Sequence, residues 1–286
     1  MVTRKSSTLP AFESLALSRP SEYVVNVQLN RPKSRNSLNR KVWTEIGECF
    51  NFLAADPDCR AVVLSGAGKA FCAGLDFKEM VEFGQISADT ELDVARKGFL
   101  FKQYIKQFQD CHTAIEKCPK PVIASMHRAA LGAAIDLVVA CDIRYAAIDT
   151  VFSIREVDIG ITTDIGTLQR MPKVVANHSW MREMAFTGRD FDANEALQYG
   201  LVSRVFPSAE ETYAASLALA EQIASKSPVA VQGSKVNLIY SRDHSVDQGL
   251  EFVANWMMCC MQSEDVVTAA VAAATAQNEP PTFSKL

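Results

Sequence analysis

Hydrophobic residues along the chain come in two patterns. Short, dense runs closed by glycine or polar residues mark buried strands: "EYVVNVQL" (22–29), "AVVLSG" (61–66), "PVIASM" (121–126), "IRYAAI" (143–148), "VFSI" (151–154) and "SRVF" (203–206). Between them the period lengthens. Val42, Ile46, Cys49, Phe50 and Leu53 fall at i, i+4, i+7, i+8 and i+11, an amphipathic helix that Asn36-Ser37 is placed to cap. "GAAIDLVVAC" (132–141) reads as a second helix, following a buried strand. Strands alternate with helices as far as residue 206, the pattern of an α/β fold with repeated crossovers. From there to 275 the chain reads as helical throughout. Within that stretch "ANWMMCCM" (254–261) is apolar nearly all round, which fits a core helix or a subunit interface. The expected organisation is a flexible lead (1–20), an α/β core (21–206), a helical region (207–275) and a polar, proline-broken tail (276–286) able to leave the body.

Composition narrows the function classes. The chain has 286 residues, 48% of them hydrophobic, enough for a substantial core. Net charge is -4, the sequence pI is about 5.7, and no run of Lys or Arg stands out, which argues against nucleic acid as a partner. No apolar stretch reaches the roughly 18 residues of a membrane span. The eight cysteines form no C-x-x-C pair, and Cys259 and Cys260 are adjacent, so they read as reduced thiols of an intracellular protein. His112, His127, His178 and His244 lack metal-ligand spacing, and G-x-S-x-G is absent, so neither a metal site nor a serine-hydrolase site is expected. The basic, hydroxyl-rich start is faintly like a transit peptide, but Glu13 follows soon and the stretch is short. Ser284-Lys285-Leu286 matches the address that a peroxisomal import receptor reads at a free carboxyl end. A peroxisome, or a related organelle such as a glycosome, is therefore expected ahead of a mitochondrion.

Two glycine-bearing turns are the candidate chemistry. "SGAGKAFCAGLDFKEM" (65–80) runs from a strand into a helix, yet lacks the phosphate-loop pattern, because Ala70 follows Lys69, and lacks G-x-G-x-x-G, because residue 71 is Phe. What remains is Phe71 to Asp76, where Gly74 lets backbone approach a ligand closely; taken alone, this is also a plain turn. "HRAALGAAID" (127–136) has the same position after a strand. Each turn can offer one backbone N–H to a common oxygen, which is an oxyanion hole. Asp136, in the first turn or so of a helix, is also explained by the helix dipole alone. "REVDIGITTDIGTLQR" (155–170) adds Glu156, Asp158 and Asp164 to a segment otherwise apolar. If the segment is extended, Asp158 faces away from Glu156 and is structural. Asp142 is likewise read as structural, and Cys72 as a small apolar filler in preference to a nucleophile.

Taken in order, "FCAGLD", "GAAIDLVVACDIRYA" and "FSIREVDIGITTDIGTLQRMP" resemble the enoyl-CoA hydratase/isomerase (crotonase) superfamily over roughly residues 20–275. "GLVSRVF", "SKSPVAVQGSK" and "YSRDHSVD" are similar to its Δ3,5-Δ2,4-dienoyl-CoA isomerase branch. The resemblance implies a crotonase-like α/β spiral of β-β-α units with a C-terminal helical region for trimer contacts, and a homo-oligomer, a trimer or hexamer. It implies an acyl-CoA substrate held by the N–H groups of Leu75 and Ala133, with Ala73, Gly74, Asp76 and Phe77 in the same binding loop. The second turn departs from the usual Gly-Gly-Gly, reading Gly132-Ala133-Ala134, and the added methyl groups are expected to narrow the pocket. Hydratases of the superfamily carry glutamates at the positions of Asp136 and Glu156, and a glycine where this chain has Asp164. The implied reaction is conversion of 3,5-dienoyl-CoA to 2,4-dienoyl-CoA: Asp164 takes a proton from C2, Glu156 delivers one at C6, and Asp136 lines the pocket and tunes its neighbours. No metal or redox cofactor is expected for proton transfers alone. The competing readings are a 2-enoyl-CoA hydratase or Δ3-Δ2-enoyl-CoA isomerase on the same scaffold, and a non-catalytic RNA-binding or structural homologue.

Overall fold

The computed structural model describes residues 7–275 and 281–286; the start of the expected lead (1–6) and of the expected tail (276–280) lie outside the described residues. Nine strands are described: β1 (Leu15–Ser21), β2 (Val24–Leu29), β3 (Ala61–Gly66), β4 (Val122–Met126), β5 (Ala129–Leu131), β6 (Ile143–Ala147), β7 (Val151–Ser153), β8 (Phe191–Asp192) and β9 (Arg204–Phe206). The helices are α1 (Arg40–Ala55), α2 (Glu79–Ala88), α3 (Val94–Lys117), α4 (Ala133–Ala140), α5 (Thr167–Arg170), α6 (His178–Thr187), α7 (Ala193–Gln198), α8 (Ala209–Ala224), α9 (Pro228–Arg242), α10 (Val246–Cys260) and α11 (Glu264–Ala274).

The larger sheet runs β1-β2-β3-β4-β6-β9, antiparallel at β1–β2 and parallel elsewhere, and the smaller runs β5-β7-β8. The chain steps from one sheet to the other: β4 to β5 and then α4, β6 to β7, and after the same β3 an isolated bridge pairs Cys72 with Ala130 on β5. That alternation is the expected β-β-α spiral. The central strands are mostly apolar because both faces are covered, and the buried exceptions Asn26 and Ser65 are bonded to each other at 2.9 Å. On one face α8 lays Ala220 and Ala224 against Val24, Ala61, Val63 and Ile123; the other packs into the main core with α1, α3 and α4.

Four expectations change. The lead expected over 1–20 gives way at Leu15 to β1, an edge strand; its sequence, LALSRPS, is too polar to read as buried, and Pro20 is tolerated because an edge strand has ladder donors to spare. Helix α1 starts later than expected: Asn39, not Asn36-Ser37, caps it by accepting from the Val42 N–H at 3.1 Å. Residues 281–286 lie against the body instead of leaving it. The Arg60 guanidinium, stacked over Tyr23 at 3.9 Å, donates to the carbonyls of Ala224 (3.1 Å), Phe283 (2.7 Å) and Ser284 (3.2 Å), Phe283 is buried, and Lys285 pairs with Asp58. Of the two readings of 254–261, the core helix fails: on α10 only Gly249 is buried, and Met258 is 67% exposed.

Candidate functional site

The two glycine turns are laced together by backbone hydrogen bonds. Phe71 and Cys72 donate to the carbonyls of His127 (3.0 Å) and Ala129 (2.9 Å), and Leu131 donates back to Cys72 (3.2 Å). Asn36, held at φ +56, spends its amide on the carbonyls of Ala67 (2.9 Å), Ala70 (2.8 Å) and Phe71 (3.1 Å), which fixes the first turn from below and explains why it does not cap a helix. Gly74 has φ +88, and a β-carbon there would stand 2.5 Å from the Leu131 carbonyl oxygen and 3.6 Å from the Ala133 nitrogen. Only glycine permits that approach. Neither Leu75 nor Ala133 donates its N–H to another group among the described residues. Ala133 opens α4, where the first N–H groups have no intrahelical partner. The two positions expected to form an oxyanion hole are therefore brought side by side with their donors uncommitted.

Cys72 belongs to this scaffold. Its thiol donates to the Asn36 carbonyl at 3.1 Å and its sulfur accepts from Gly74 at 3.4 Å, while burial pushes it up to about 12, so the thiol is no nucleophile. Asp76, expected in the binding loop, instead accepts from Arg31 (3.1 Å) and Ser37 (3.2 Å) and anchors the loop to the segment before α1. Ala73, Gly74, Leu75 and Phe77 do line a cavity of about 120 Å³, together with Ala133 from the second turn. Its other walls include Phe83, Phe108, Ile159 and Ile165, and its carboxylates are Glu156 and Asp164.

Glu156 opens a 3-10 turn (Glu156–Ile159) and stands over the second glycine turn: a β-carbon at Gly132 would lie 3.5 Å from its Oε1, and the Thr163 hydroxyl donates to its Oε2 at 3.3 Å. Burial raises the pKa of both carboxyls, and the charge of Asp164 raises Glu156 further. Asp136 sits elsewhere than expected. It is 1% exposed and behind the cavity wall, not on it, and its Oδ1 accepts from both the N–H (2.6 Å) and the hydroxyl (2.7 Å) of Thr167. Burial first, and the Glu156 charge second, push it up to about 7. The three acids thus repel one another in an apolar setting and favour holding protons between them. Thr163 and Thr167 were not singled out by sequence; the only signal was their place beside the acids in "TTDIGT".

Asp158 is exposed, 3.8 Å from Arg155 and turned toward Gly188. It faces away from the cavity as expected, but because the segment is a 3-10 turn, not because it is extended. Asp142 is paired with Lys235 at 2.7 Å and accepts from the Val122 N–H at 2.8 Å, both structural contacts. The arrangement as a whole offers two free donors for one developing oxyanion and two protonatable carboxyls facing the same apolar space. Such a site can shift protons along a bound molecule while stabilising an enolate.

Residues 19–272 match the protein family described as Enoyl-CoA hydratase/isomerase. The chain is 51% identical over 279 residues to a Homo sapiens protein named Delta(3,5)-Delta(2,4)-dienoyl-CoA isomerase, mitochondrial, covering 96% of this chain and 84% of that protein. It is 40% identical over 281 residues to an Arabidopsis thaliana protein named Delta(3,5)-Delta(2,4)-dienoyl-CoA isomerase, peroxisomal, covering 98% and 100%. Among solved structures, an enoyl-CoA hydratase from Bacillus anthracis superposes with a TM-score of 0.84 at 27% identity, over 95% of this chain and 99% of that one.

Proposed function

Because the chain belongs to the enoyl-CoA hydratase/isomerase family, and relatives about half identical to it are dienoyl-CoA isomerases by name, we propose that it converts 3,5-dienoyl-CoA into 2,4-dienoyl-CoA in fatty-acid β-oxidation. The observation that carries the reading is the pairing of Asp164 with Glu156 in one apolar cavity beside the uncommitted N–H groups of Leu75 and Ala133. Asp164 takes a proton from C2. The electron pair delocalises over the diene and the thioester oxygen, which the two N–H groups hold. Glu156 then gives a proton to C6, leaving double bonds at C2 and C4. Each turnover moves one proton off and one on, so the carboxyls exchange protonation states and must be reset, which their shared setting favours. The chemistry is proton transfer throughout and calls on no metal or redox group. The test is to supply 3,5-dienoyl-CoA and follow the conjugated 2,4-dienoyl chromophore, with hydration of a 2-enoyl-CoA measured beside it. Hydration without isomerisation overturns the reading.

The assembly is a closed homo-oligomer, a hexamer built as two trimers. Supporting it, α9, α10 and α11 bound an apolar groove of about 950 Å³ that includes Val229, Leu250 and Met257, with Leu238 72% exposed at its edge. Patches of this kind mark interfaces. Sedimentation at micromolar concentration is expected to show no monomer; a monomer overturns the assembly.

The compartment proposed is the peroxisome, on the strength of Ser284-Lys285-Leu286, which are exposed on the body and which a receptor reads after displacing the Lys285–Asp58 pair and the Arg60 bond to Ser284. Deleting these three residues is expected to move a fluorescent fusion to the cytosol with isomerisation unchanged. Retention in peroxisomes refutes the address, and transfer to mitochondria assigns the chain the compartment of its mammalian relatives.

A further inference from the structure

The stretch from Gly160 to Gly166 that carries Asp164 contains no helix or strand, and it is held from two sides. On one side Thr167 is bonded to Asp136 on α4. On the other side runs α3. Its Gln109, half-buried, donates from Nε2 to the Asp164 carbonyl oxygen at 2.7 Å. One turn further, Thr113 accepts from Arg170 at 3.0 Å, and Glu116 pairs with the same guanidinium at 3.1 Å while also pairing with Arg242 at the end of α9. Gln109, Thr113 and Glu116 are spaced four and three apart, one stripe of one helix. Their three contacts fall on the first and last residues of the span 164–170. A hydrogen bond to the carbonyl of residue 164 fixes the peptide plane next to its Cα, and with it the direction in which the carboxyl leaves the backbone.

We propose that Gln109 is a positioning residue for the base: it sets where Asp164 stands in the cavity without touching the substrate. The proposal rests on the reading of Asp164 given above. Gln109 does not line the cavity, although its neighbour Phe108 does. The ionisable groups around Asp164 are Glu156 and Asp136 from the site, Arg155 on the cavity wall, and Arg170 already paired with Glu116. His112 on α3 is buried and neutral. None of them replaces the amide at the carbonyl. A residue that merely satisfies a loop carbonyl would affect melting and nothing else.

The test compares the full-length protein with Gln109→Leu and Gln109→Met, which remove the donor at similar volume. With 3,5-dienoyl-CoA, kcat is expected to fall roughly ten- to hundredfold, as a displaced catalytic group does, with KM within about twofold. The acid limb of kcat should move to lower pH, because a released segment admits water to Asp164 and weakens the burial that raises its pKa. Amide exchange over residues 163–168 should quicken. Wild-type kcat and an unmoved acid limb in both variants overturn the proposal, whether or not the melting temperature drops. If the unmodified protein does not isomerise the substrate, the reading of the site falls, and the exchange comparison alone decides whether Gln109 holds the segment.

Discussion

Asp164→Asn is expected to abolish formation of the 2,4-dienoyl chromophore, by about 10²–10⁴-fold, the contribution typical of a positioned base. The substitution keeps the size of the side chain and removes its ability to accept the C2 proton. Folding should survive, and the sign can be worked out. Burial raises the Asp164 pKa in the folded state, so folding disfavours its ionised form relative to the unfolded chain. The corresponding stability is present below the unfolded value of about 3.9 and is lost as pH rises through the raised folded value. An asparagine is neutral at every pH and escapes that loss, so the variant should melt no lower than the parent at neutral pH. The parent's rate should fall on the acid side at a pH above the ordinary aspartate range, since the base must be ionised. Asp158→Asn is the control: its partner Arg155 is about as exposed as it is, and such pairs contribute ~0–1 kcal/mol. Turnover and melting of the two variants decide the matter. An Asp164→Asn enzyme that keeps most of its rate, beside an Asp158→Asn enzyme that loses it, sinks the assignment.

Gly74→Ala should be nearly as damaging for a different reason. The new methyl would sit 2.5 Å from the Leu131 carbonyl oxygen at a backbone angle of +88°, so the two turns must separate. Separating them moves the Leu75 N–H away from that of Ala133, and loss of one oxyanion donor costs about 10²–10³-fold in kcat. Backbone strain adds roughly 1–3 kcal/mol of destabilisation. Gly200→Ala isolates the strain: φ is +82 there, but nothing lies within 4 Å of the added carbon. It should lower the melting temperature and leave kcat alone. Steady-state kinetics beside melting curves separate the two effects, and equal rate losses in both variants would mean that the turns are not an oxyanion hole.

The parts of the fold that sequence revealed are those where one physical cause dominates. Strands β3 and β4 are buried on both faces, so their sequences are almost wholly apolar, while β2 and β6 keep Asn26, Gln28 and Arg144 within otherwise apolar runs. Strand β1 is an edge with a mixed pattern, and nothing local distinguishes it from a coil. In helix α3 the helical repeat of Tyr104, Phe108, His112 and Ile115 is masked, because apolar residues such as Phe99 and Leu100 and many charged ones fall on its exposed faces. The acids were legible as residues but not as environments. That Glu156 and Asp164 face one cavity follows from the motif, whereas the burial of Asp136 behind the wall depends on Thr167 folding back over α4. Gln109 carries no signal in the sequence, since its partner lies 55 positions away and it is one of three glutamines on the same helix.

The contact between Arg60 and the end of the chain has a temporal side. Phe283 lies 223 positions after Arg60, so the guanidinium has no carbonyls of residues 283 and 284 to bind until those residues have been synthesised. Closing a loop of that length has an entropic cost that grows with the logarithm of its span, so the contact gains most once the intervening strands have already shortened the path. Tyr23, Arg60 and Ala224 stand at the ends of β2, β3 and α8, so the contact is expected to gain most when those elements are already in place. Attachment of residues 283 and 284 is therefore expected to follow formation of the sheet beneath them.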